Sequence, residues 1–158
     1  MTADFSIETY DRVIEEAKPL LEQHWREIAV YPDIPLDPDY EFYEKANKSG
    51  MLTFYVVREY EKLIGYAIFV VKPGKFTPGG HPHYQRHGWA MNDIIWLHPE
   101  HRNLGIGGQF VEYWEADLFA RGIHVVHVNT KVSHPELAFL LKNCGYAKIE
   151  EGYEKRLR

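Results

Sequence analysis

The first third of the chain has the hydrophobic pattern of helices. From Tyr10 to Ile28 apolar residues recur every three or four positions and charged residues occupy the opposite face, which predicts one amphipathic helix with Pro19 as a kink point. Residues 31–38 hold three prolines, which block regular hydrogen-bond ladders and predict an ordered, irregular loop. A second, shorter helix is predicted from Asp39 to Lys48, ended by Gly50.

The remainder of the chain alternates between strand-like and helical segments. Two apolar runs joined by the polar pair Glu61-Lys62 predict a β-hairpin, and a Pro-, Gly- and His-rich stretch from Pro73 to Gly88 predicts a long loop. The predicted strands are Met51–Glu59, Lys62–Lys72, Met91–Leu97, Ile123–Lys131 and, in the tail, Tyr146–Leu157; the later helices are Gln109–Arg121 and His134–Gly145. This order, without repeats or linkers, predicts a single mixed α/β domain over residues 1–158.

Composition narrows the class of protein. The 158 residues carry a formal net charge of -5, which argues against broad binding to the phosphates of nucleic acids. A single cysteine, Cys144, allows no intrachain disulfide and fits a reducing compartment. The N-terminus lacks a signal-peptide pattern and no apolar run approaches the ~20 residues of a membrane span, so we expect a cytoplasmic protein without membrane partners.

The segment between the third predicted strand and the next helix carries the chemistry. It contains Arg102 and three glycines, Gly105, Gly107 and Gly108, at the start of a helix. Glycine lets a backbone approach a ligand closely, and the N–H groups at a helix N-terminus form an anion site with the helix dipole. A pyrophosphate suits such a site, and Arg102 could add a charge-assisted contact.

Two other phosphate-binding loops are excluded by local detail. A Walker loop requires Gly-Lys-Ser or Gly-Lys-Thr, and neither tripeptide occurs. A Rossmann turn requires a third glycine at a position that Phe110 occupies.

The same segment resembles the coenzyme-binding motif of the GNAT superfamily of N-acetyltransferases. Arg102-x-x-Gly105-x-Gly107 matches the Q/R-x-x-G-x-G/A signature, and the order of elements matches from Tyr10 to the C-terminus. The flanking residues that match are Leu97, Pro99-Glu100, His134-Pro135 and Cys144-Gly145-Tyr146. The chain also resembles small GNAT proteins encoded by phages and prophages.

The resemblance implies a fold, a cosubstrate and a reaction. The fold would be a twisted, mostly antiparallel sheet, splayed in the middle and flanked by about four helices. Acetyl-CoA would be the cosubstrate, and a primary amine on a small molecule or a protein would attack it directly in a ternary complex. The implied pantetheine contacts are the backbone groups of Ile95, Trp96 and Leu97; the other implied coenzyme contacts are Arg102, Asn103, Leu104, Gly105, Ile106, Gly107, Gly108 and His134.

Three positions depart from the family pattern, and the first is His134, which stands where members often carry an asparagine. Leu141 stands where many members carry the tyrosine that reprotonates the CoA thiolate, and Asn129 stands where some carry a base carboxylate. Because leucine has no proton to donate, either another group supplies it or the thiolate leaves unaided. Tyr84 and Tyr153 are the other residues of suitable type.

Asp93 is the candidate catalytic base. It is an acidic residue in an otherwise apolar strand, and a buried carboxylate is costly without a partner or a purpose. Burial would favour its neutral form and bring it into the range useful for deprotonating an ammonium. The alternatives are a substrate ligand, or a structural carboxylate bonded to an arginine or to the backbone at a strand bulge.

Histidines and loop acids offer further hypotheses. His81, His83 and His87 share the long loop, but no Cys or carboxylate cluster accompanies them, so we expect a solvated, substrate-covering segment and no metal site. His127 is a weaker candidate base. Four acids and four aromatic residues between 31 and 43 suit either a wall for a cationic amine or a solvated loop.

Two other functions remain open at the level of sequence. A non-catalytic CoA-binding module, with Leu141 and Asn129 marking lost chemistry, would act on a partner protein. A nucleotide-binding module would bind ATP or NAD in place of CoA. The sequence does not define the acceptor, and it is compatible with a homodimer.

Overall fold

A mixed α/β architecture links the elements of the computed structural model, which describes residues 3–73 and 87–157. In chain order the elements are β1 (Asp4–Glu8), α1 (Tyr10–Ile28), α2 (Tyr40–Lys48), β2 (Leu52–Glu59), β3 (Lys62–Lys72), β4 (Gly88–Leu97), a 3-10 turn (Pro99–His101), α3 (Ile106–Ala120), β5 (Ile123–His127) and α4 (Pro135–Asn143). No helix in the two described ranges is long and apolar enough to cross a membrane.

The five strands form one sheet in the order β1-β2-β3-β4-β5. The first four strands pair antiparallel, and β5 pairs parallel with β4. This confirms the predicted fold class and the predicted β2–β3 hairpin. Helices cover both faces of the sheet: α1 and α2 pack on one face and α3 packs on the other.

The two faces of the sheet have separate hydrophobic cores. On one face, α3 buries Phe110, Trp114 and Leu118 against Tyr55 and Phe69. On the other face, α1 and α2 pack their apolar stripes on the opposite side chains of β2 and β3, with Val13 and Ala17 of α1 against Val56. Because side chains alternate between the two faces of a strand, neighbouring residues of β2 and β3 pack into different cores. The same strands therefore stabilise the helices on both faces of the sheet.

A bulge in β4 opens the sheet. Ile68 of β3 lies opposite Ile94, while the next residue, Phe69, lies opposite Asn92, so Asp93 is an extra residue without a partner. β5 pairs only with the part of β4 from Gly88 to Met91. Beyond that point β4 and β5 separate, which is the splay that the resemblance implied.

Several elements differ from the sequence-based predictions, notably β1, β4, β5 and α3. β1 was not predicted, although Phe5 and Ile7 alternate with polar residues; Phe5 stacks on Phe110 of α3 at 5.7 Å. β4 begins at Gly88, three residues earlier than predicted, and β5 ends at His127 because the splay removes its neighbour. α3 begins at Ile106 and not Gln109, because glycine is tolerated in the uncapped first turn of a helix.

The predicted strand in the tail is absent from the structure. Over residues 146–157 the chain has no strand, and Ile149, Tyr153 and Leu157 are exposed. The tail does contact the 31–38 loop, since Arg156 pairs with Asp33 at 2.8 Å. The apolar residues of the tail permit a strand, but a strand also requires a hydrogen-bonding neighbour, and none pairs with residues 146–157 in the described part of the chain.

Candidate functional site

The turn between β4 and α3 exposes a row of backbone N–H groups. Asn103 and Gly105 have left-handed φ angles of 62° and 81°, which reverse the chain direction before the helix begins. Gly105 is the N-cap of α3, and no side chain caps this end. Because the N–H groups in the first turn of a helix have no intrahelical acceptor, those of 106–108 remain available to a ligand. The helix dipole favours an anion at this position.

Arg102 is held by protein groups. Its Nε donates to the carbonyl of Leu97 at 2.8 Å, and its two terminal nitrogens donate to the Glu27 carboxylate at 2.6 and 2.9 Å. This hydrogen bond holds the pKa of Glu27 below its usual range. The pair fastens the motif turn to α1, and three of the five N–H bonds of the guanidinium are thereby occupied by protein. A direct contact with phosphate remains a prediction.

The backbone of β4 presents alternate residues to the open side. The N–H of His98 donates to the carbonyl of Ile64 at 2.8 Å, which sets the phase of the β3–β4 ladder. In an antiparallel ladder this phase directs the backbone groups of Trp96 toward β3 and those of Ile95 and Leu97 toward the gap beside β5. Ile95 and Leu97 therefore occupy the predicted edge position, whereas the backbone of Trp96 faces its own sheet.

The side chain of Trp96 supports this edge from behind. Its indole N–H donates to Glu27 at 3.1 Å, and its ring stacks with Tyr66 at 5.7 Å and His24 at 6.1 Å. Glu27 thus joins α1 to both the strand and the motif turn.

Asp93 lies at the bulge, at the far end of the open edge from the motif turn. The hydroxyl of Tyr43 donates to its Oδ2 at 2.6 Å. Burial of the phenol and this hydrogen bond raise the pKa of Tyr43 well above its usual range. Asp93 itself is exposed, so the prediction that it is buried is wrong: the bulge turns it out of the apolar face. Its role as a base stays a prediction.

Asn92 bridges the splay where the ladder between β4 and β5 ends. Its amide accepts from the Asn129 N–H at 2.7 Å and donates to the Asn129 carbonyl at 3.2 Å. Asn92 is buried and replaces the missing strand pairing with a side chain. Asn129 is exposed, and only its backbone N–H and carbonyl take part in this contact with Asn92.

A cavity of about 310 Å³ lies between α1, the loop before α2 and the sheet. Its walls are mainly aliphatic and aromatic, and they include Ile14, Ala17, Trp25, Leu36, Tyr40 and Phe54. Tyr43 and Ile94 also line it, so the cavity lies beside the bulge that carries Asp93. Its location suits a pocket for a small molecule that must reach the open edge of β4.

The acids of the loop have different tasks. Asp39 caps α2 by accepting from the Phe42 N–H at 2.9 Å, Asp33 pairs with Arg156, and Glu41 pairs with Lys45. Of the four acids in the predicted acidic wall, only Asp37 lines the cavity.

The remaining predicted residues lie at the edges of this site. His134 is the N-cap residue of α4 and is half-buried. Leu141 is buried, with 4% of its surface exposed, and Cys144 packs against the α3 core, where burial raises the pKa of its thiol. Tyr153 is exposed in the tail.

The histidines proposed from the sequence lie partly outside the described residues and partly at the end of β5. His81, His83 and Tyr84 lie outside the described residues. His127 ends β5, with its ring 6.0 Å from that of Trp89. Among the residues that the structure does describe, no group of three His, Cys, Asp or Glu side chains could hold a metal ion.

Sequence reasoning missed Glu27, Asn92 and His24 as residues that organise the site, and it predicted Tyr43 as part of a loop wall without its bond to Asp93. Tyr43 and Asp93 are 50 positions apart, and Glu27 and Arg102 are 75 apart. Each looks like an ordinary helix-surface or strand residue in its local pattern. The one available signal was Asn92, a polar residue directly beside Asp93 in an apolar strand.

An open strand edge leading to an uncapped helix N-terminus defines a domain that holds an extended, phosphate-bearing ligand. The model of the acetyltransferase (GNAT) family matches residues 14–146, and the chain belongs to this family.

Solved structures share the fold at low sequence identity. Ribosomal-protein-alanine N-acetyltransferase from Brucella melitensis biovar Abortus 2308 superposes with a TM-score of 0.73 at 18% identity, covering 99% of this chain and 100% of its own. A predicted acetyltransferase with acetyl-CoA from Clostridium acetobutylicum gives 0.71 at 13%, covering 98% and 96%. The structure of AAC(6')-Iy in complex with the bisubstrate analogue CoA-S-monomethyl-acetylneamine gives a TM-score of 0.73 at 16% identity, covering 100% of this chain and 99% of its own. A sequence search of curated proteins finds no match.

Proposed function

We propose that this protein is an acetyl-CoA-dependent N-acetyltransferase that transfers the acetyl group to a primary amine in a ternary complex. The observation that carries the proposal is the continuous path along one side of the splay. It runs from the free N–H groups of 106–108, past the Leu97 N–H and the backbone of Ile95, to Asp93 at the bulge.

The residues on this path fit the parts of coenzyme A. The uncapped turn suits a pyrophosphate, since it offers N–H donors and the positive end of a dipole. The backbone groups of Ile95 and the N–H of Leu97 suit the amides of a pantetheine arm, which would add to β4 as a short strand does, while the Leu97 carbonyl already accepts from Arg102. Two related structures contain acetyl-CoA or a CoA bisubstrate analogue, which supports the same ligand here.

The bulge places a proton acceptor at the end of this path. Acetyl-CoA supplies a thioester, whose C–S bond is exchanged for the C–N bond of an amide when the amine lone pair attacks the carbonyl carbon. Asp93 accepts the proton that the amine must lose, directly or through a water, and Tyr43 orients the carboxylate through its 2.6 Å hydrogen bond. The thiolate leaves as such or takes a proton from solvent, because Leu141 cannot donate one.

The class of acceptor is an amine of a small molecule or of a protein. Related folds include a ribosomal-protein-alanine N-acetyltransferase and an enzyme studied with an acetylneamine analogue. The cavity beside Asp93 is closed in by α1 and the 31–38 loop, which favours a small molecule or a single chain terminus over a folded protein surface.

Catalysis by Asp93 is tested by substitution. We expect Asp93→Asn to lower kcat on a panel of primary amines by about 10²- to 10⁴-fold, the usual contribution of a general base, with acetyl-CoA affinity unchanged. Release of free thiol gives the rate. Asp11→Asn, an exposed acid on α1 outside the site, is the matched control and should keep full activity. An Asp93→Asn enzyme as fast as the wild type would remove Asp93 from the mechanism.

One observation favours a second candidate, a CoA-binding module without activity: the position of the usual donor is filled by the buried Leu141. A single-turnover assay separates the two. Wild-type protein that binds acetyl-CoA but transfers nothing to any amine or to an alanine-terminated peptide would establish the module.

Coenzyme specificity is a separate test. A ligand at about 100 times its Kd stabilises the native state by about 2.7 kcal/mol, which raises the Tm of a domain of this size by roughly 5–10 °C. We expect this rise with acetyl-CoA and with CoA. ATP and NAD at the same concentration should leave the Tm unchanged, and a larger rise with either would favour the nucleotide-binding alternative.

A further inference from the structure

The cavity beside Asp93 has a character that acetyl transfer alone does not require. Among the residues that the structure describes, those lining it include no Lys or Arg, and most are aliphatic or aromatic. A site built for a polyhydroxylated acceptor would need many hydrogen-bonding side chains, because a buried hydroxyl without a partner costs about 1–3 kcal/mol.

Two of the polar groups that line this cavity are buried and bonded to each other. His24 Nδ1 and the Tyr66 hydroxyl form a hydrogen bond of 2.9 Å, and both residues are buried. Burial lowers the pKa of His24 to about 4, so its ring is neutral at neutral pH. His24 Nδ1 and the Tyr66 hydroxyl are thereby partnered, and neither residue brings a charge to the deep part of the cavity.

Negative charge is confined to the rim. Asp37 lines the cavity and is exposed, and the exposed Asp93 is bonded to Tyr43, whose ring forms part of the wall. The combination is an uncharged apolar interior with carboxylates at its opening. An ammonium group would lie at the carboxylates while the rest of the molecule would enter the apolar space.

We propose that the acceptor is a primary amine carried on an apolar body, an aliphatic chain or an aromatic ring, which fills this cavity. The assignment rests on the proposed function, since it is the amine end that must reach the open edge of β4. The volume, about 310 Å³, is at the lower end of the range for ligand pockets, so the body is small.

A homologous series measures the apolar contribution directly. Each buried methylene contributes about 0.8 kcal/mol, equivalent to about a fourfold change in kcat/KM. We expect kcat/KM to rise by about this factor per carbon from ethylamine to hexylamine and to be high for 2-phenylethylamine. The 6-aminohexanol molecule, which has the length of hexylamine with a polar end, should lose most of this gain. A flat series, or a preference for 6-aminohexanol, would overturn the assignment.

A matched pair of variants ties the effect to the cavity. Leu36 lines it from the loop, whereas Val132 is 98% exposed and lies elsewhere. Leu36→Asn should lower kcat/KM for hexylamine by about tenfold or more while ethylamine is barely affected, because only the longer chain reaches that wall. Val132→Asn should change neither. Equal losses for both amines in Leu36→Asn would argue against the proposal, and unchanged ethylamine turnover shows that the variant is folded.

Amine binding without acetyl-CoA separates this proposal from the proposed function. Hexylamine should raise the Tm and 6-aminohexanol should do so far less, with Leu36→Asn abolishing the difference. If no amine is acetylated but this difference is seen, the cavity assignment stands and the transfer reaction fails. If transfer occurs but both amines act alike, the reaction stands and the assignment fails. No transfer and no difference would overturn both.

Discussion

At the residue scale, the site depends on a few positions whose backbone or partners are unusual. Gly105 has a left-handed φ of 81° at the N-cap of α3, which ordinary residues adopt at a cost of about 1–2 kcal/mol. A Cβ atom added to Gly105 would contact only Gln109, at 3.9 Å. Glycine is therefore needed there for its backbone conformation and not because space is short.

Gly50 offers a matched control for a prediction at this position. It has a φ of 78° with nothing near its missing Cβ, and it lies after α2, away from the motif turn. Gly105→Ala and Gly50→Ala should each lower the free energy of unfolding by about 1 kcal/mol in urea titrations, since the strain is the same. Only Gly105→Ala should weaken CoA binding in a calorimeter, by about tenfold or more. Equal CoA affinities in the two variants would show that the turn does not hold the coenzyme.

At the element scale, the bulge in β4 is the feature on which the site depends. One extra residue, Asp93, shifts the phase of the strand, turns a carboxylate outward and lets β5 leave its neighbour after Met91. The freed edge is stable because Asn92 closes the gap to Asn129 with two hydrogen bonds. Edges left open in a sheet usually invite aggregation, and a protein that keeps one has a use for it.

Removal of the Asn92 amide should therefore affect both stability and ligand binding. Asn92→Ala leaves the N–H and the carbonyl of Asn129 unpaired, and we expect a loss of about 1–3 kcal/mol in the free energy of unfolding. The loosened splay should also weaken CoA binding. Asn143→Ala, an exposed amide at the end of α4, is the control and should be within about 0.5 kcal/mol of the wild type. Unaltered stability of Asn92→Ala in denaturant titrations would count against the bridge.

At the scale of the whole molecule, stability should depend on pH through the contact between α1 and the sheet. His24 of α1 is buried against Tyr66 and Trp96, and its pKa falls from 6.5 to about 4, chiefly through desolvation. Glu27 opposes this shift, while Arg102 and His134 reinforce it.

The sign follows from the lowered pKa. Between pH 6.5 and 4 the unfolded chain binds a proton that folded His24 does not, so stability is fully present above pH 6.5 and falls by about 3 kcal/mol as the pH approaches 4. The pKa values of Glu8 and Glu27 are also lowered, but their contribution is lost only at lower pH, below about 4.5.

Urea titrations at pH 7.5 and pH 5 test this expectation. His24→Gln should flatten the decline of the free energy of unfolding between the two pH values, whereas His124→Gln, at an exposed position of β5, should leave it as in the wild type. A decline of the same size in all three proteins would assign the pH dependence to other groups.

The amino-acid sequence by itself determined the local elements and the motif turn. Local sequence patterns were enough to predict the helix Tyr10–Ile28, the β2–β3 hairpin and the glycine turn at 105 and 107. Each depends only on the hydrophobic period or the backbone freedom of a few neighbouring residues. The tertiary structure alone decided the site. It brought Tyr43 to Asp93 and Glu27 to Arg102, and it left the tail without a strand partner. Such pairings depend on long-range packing, and no local pattern specifies which distant residue will complete a bulge, an ion pair or a strand.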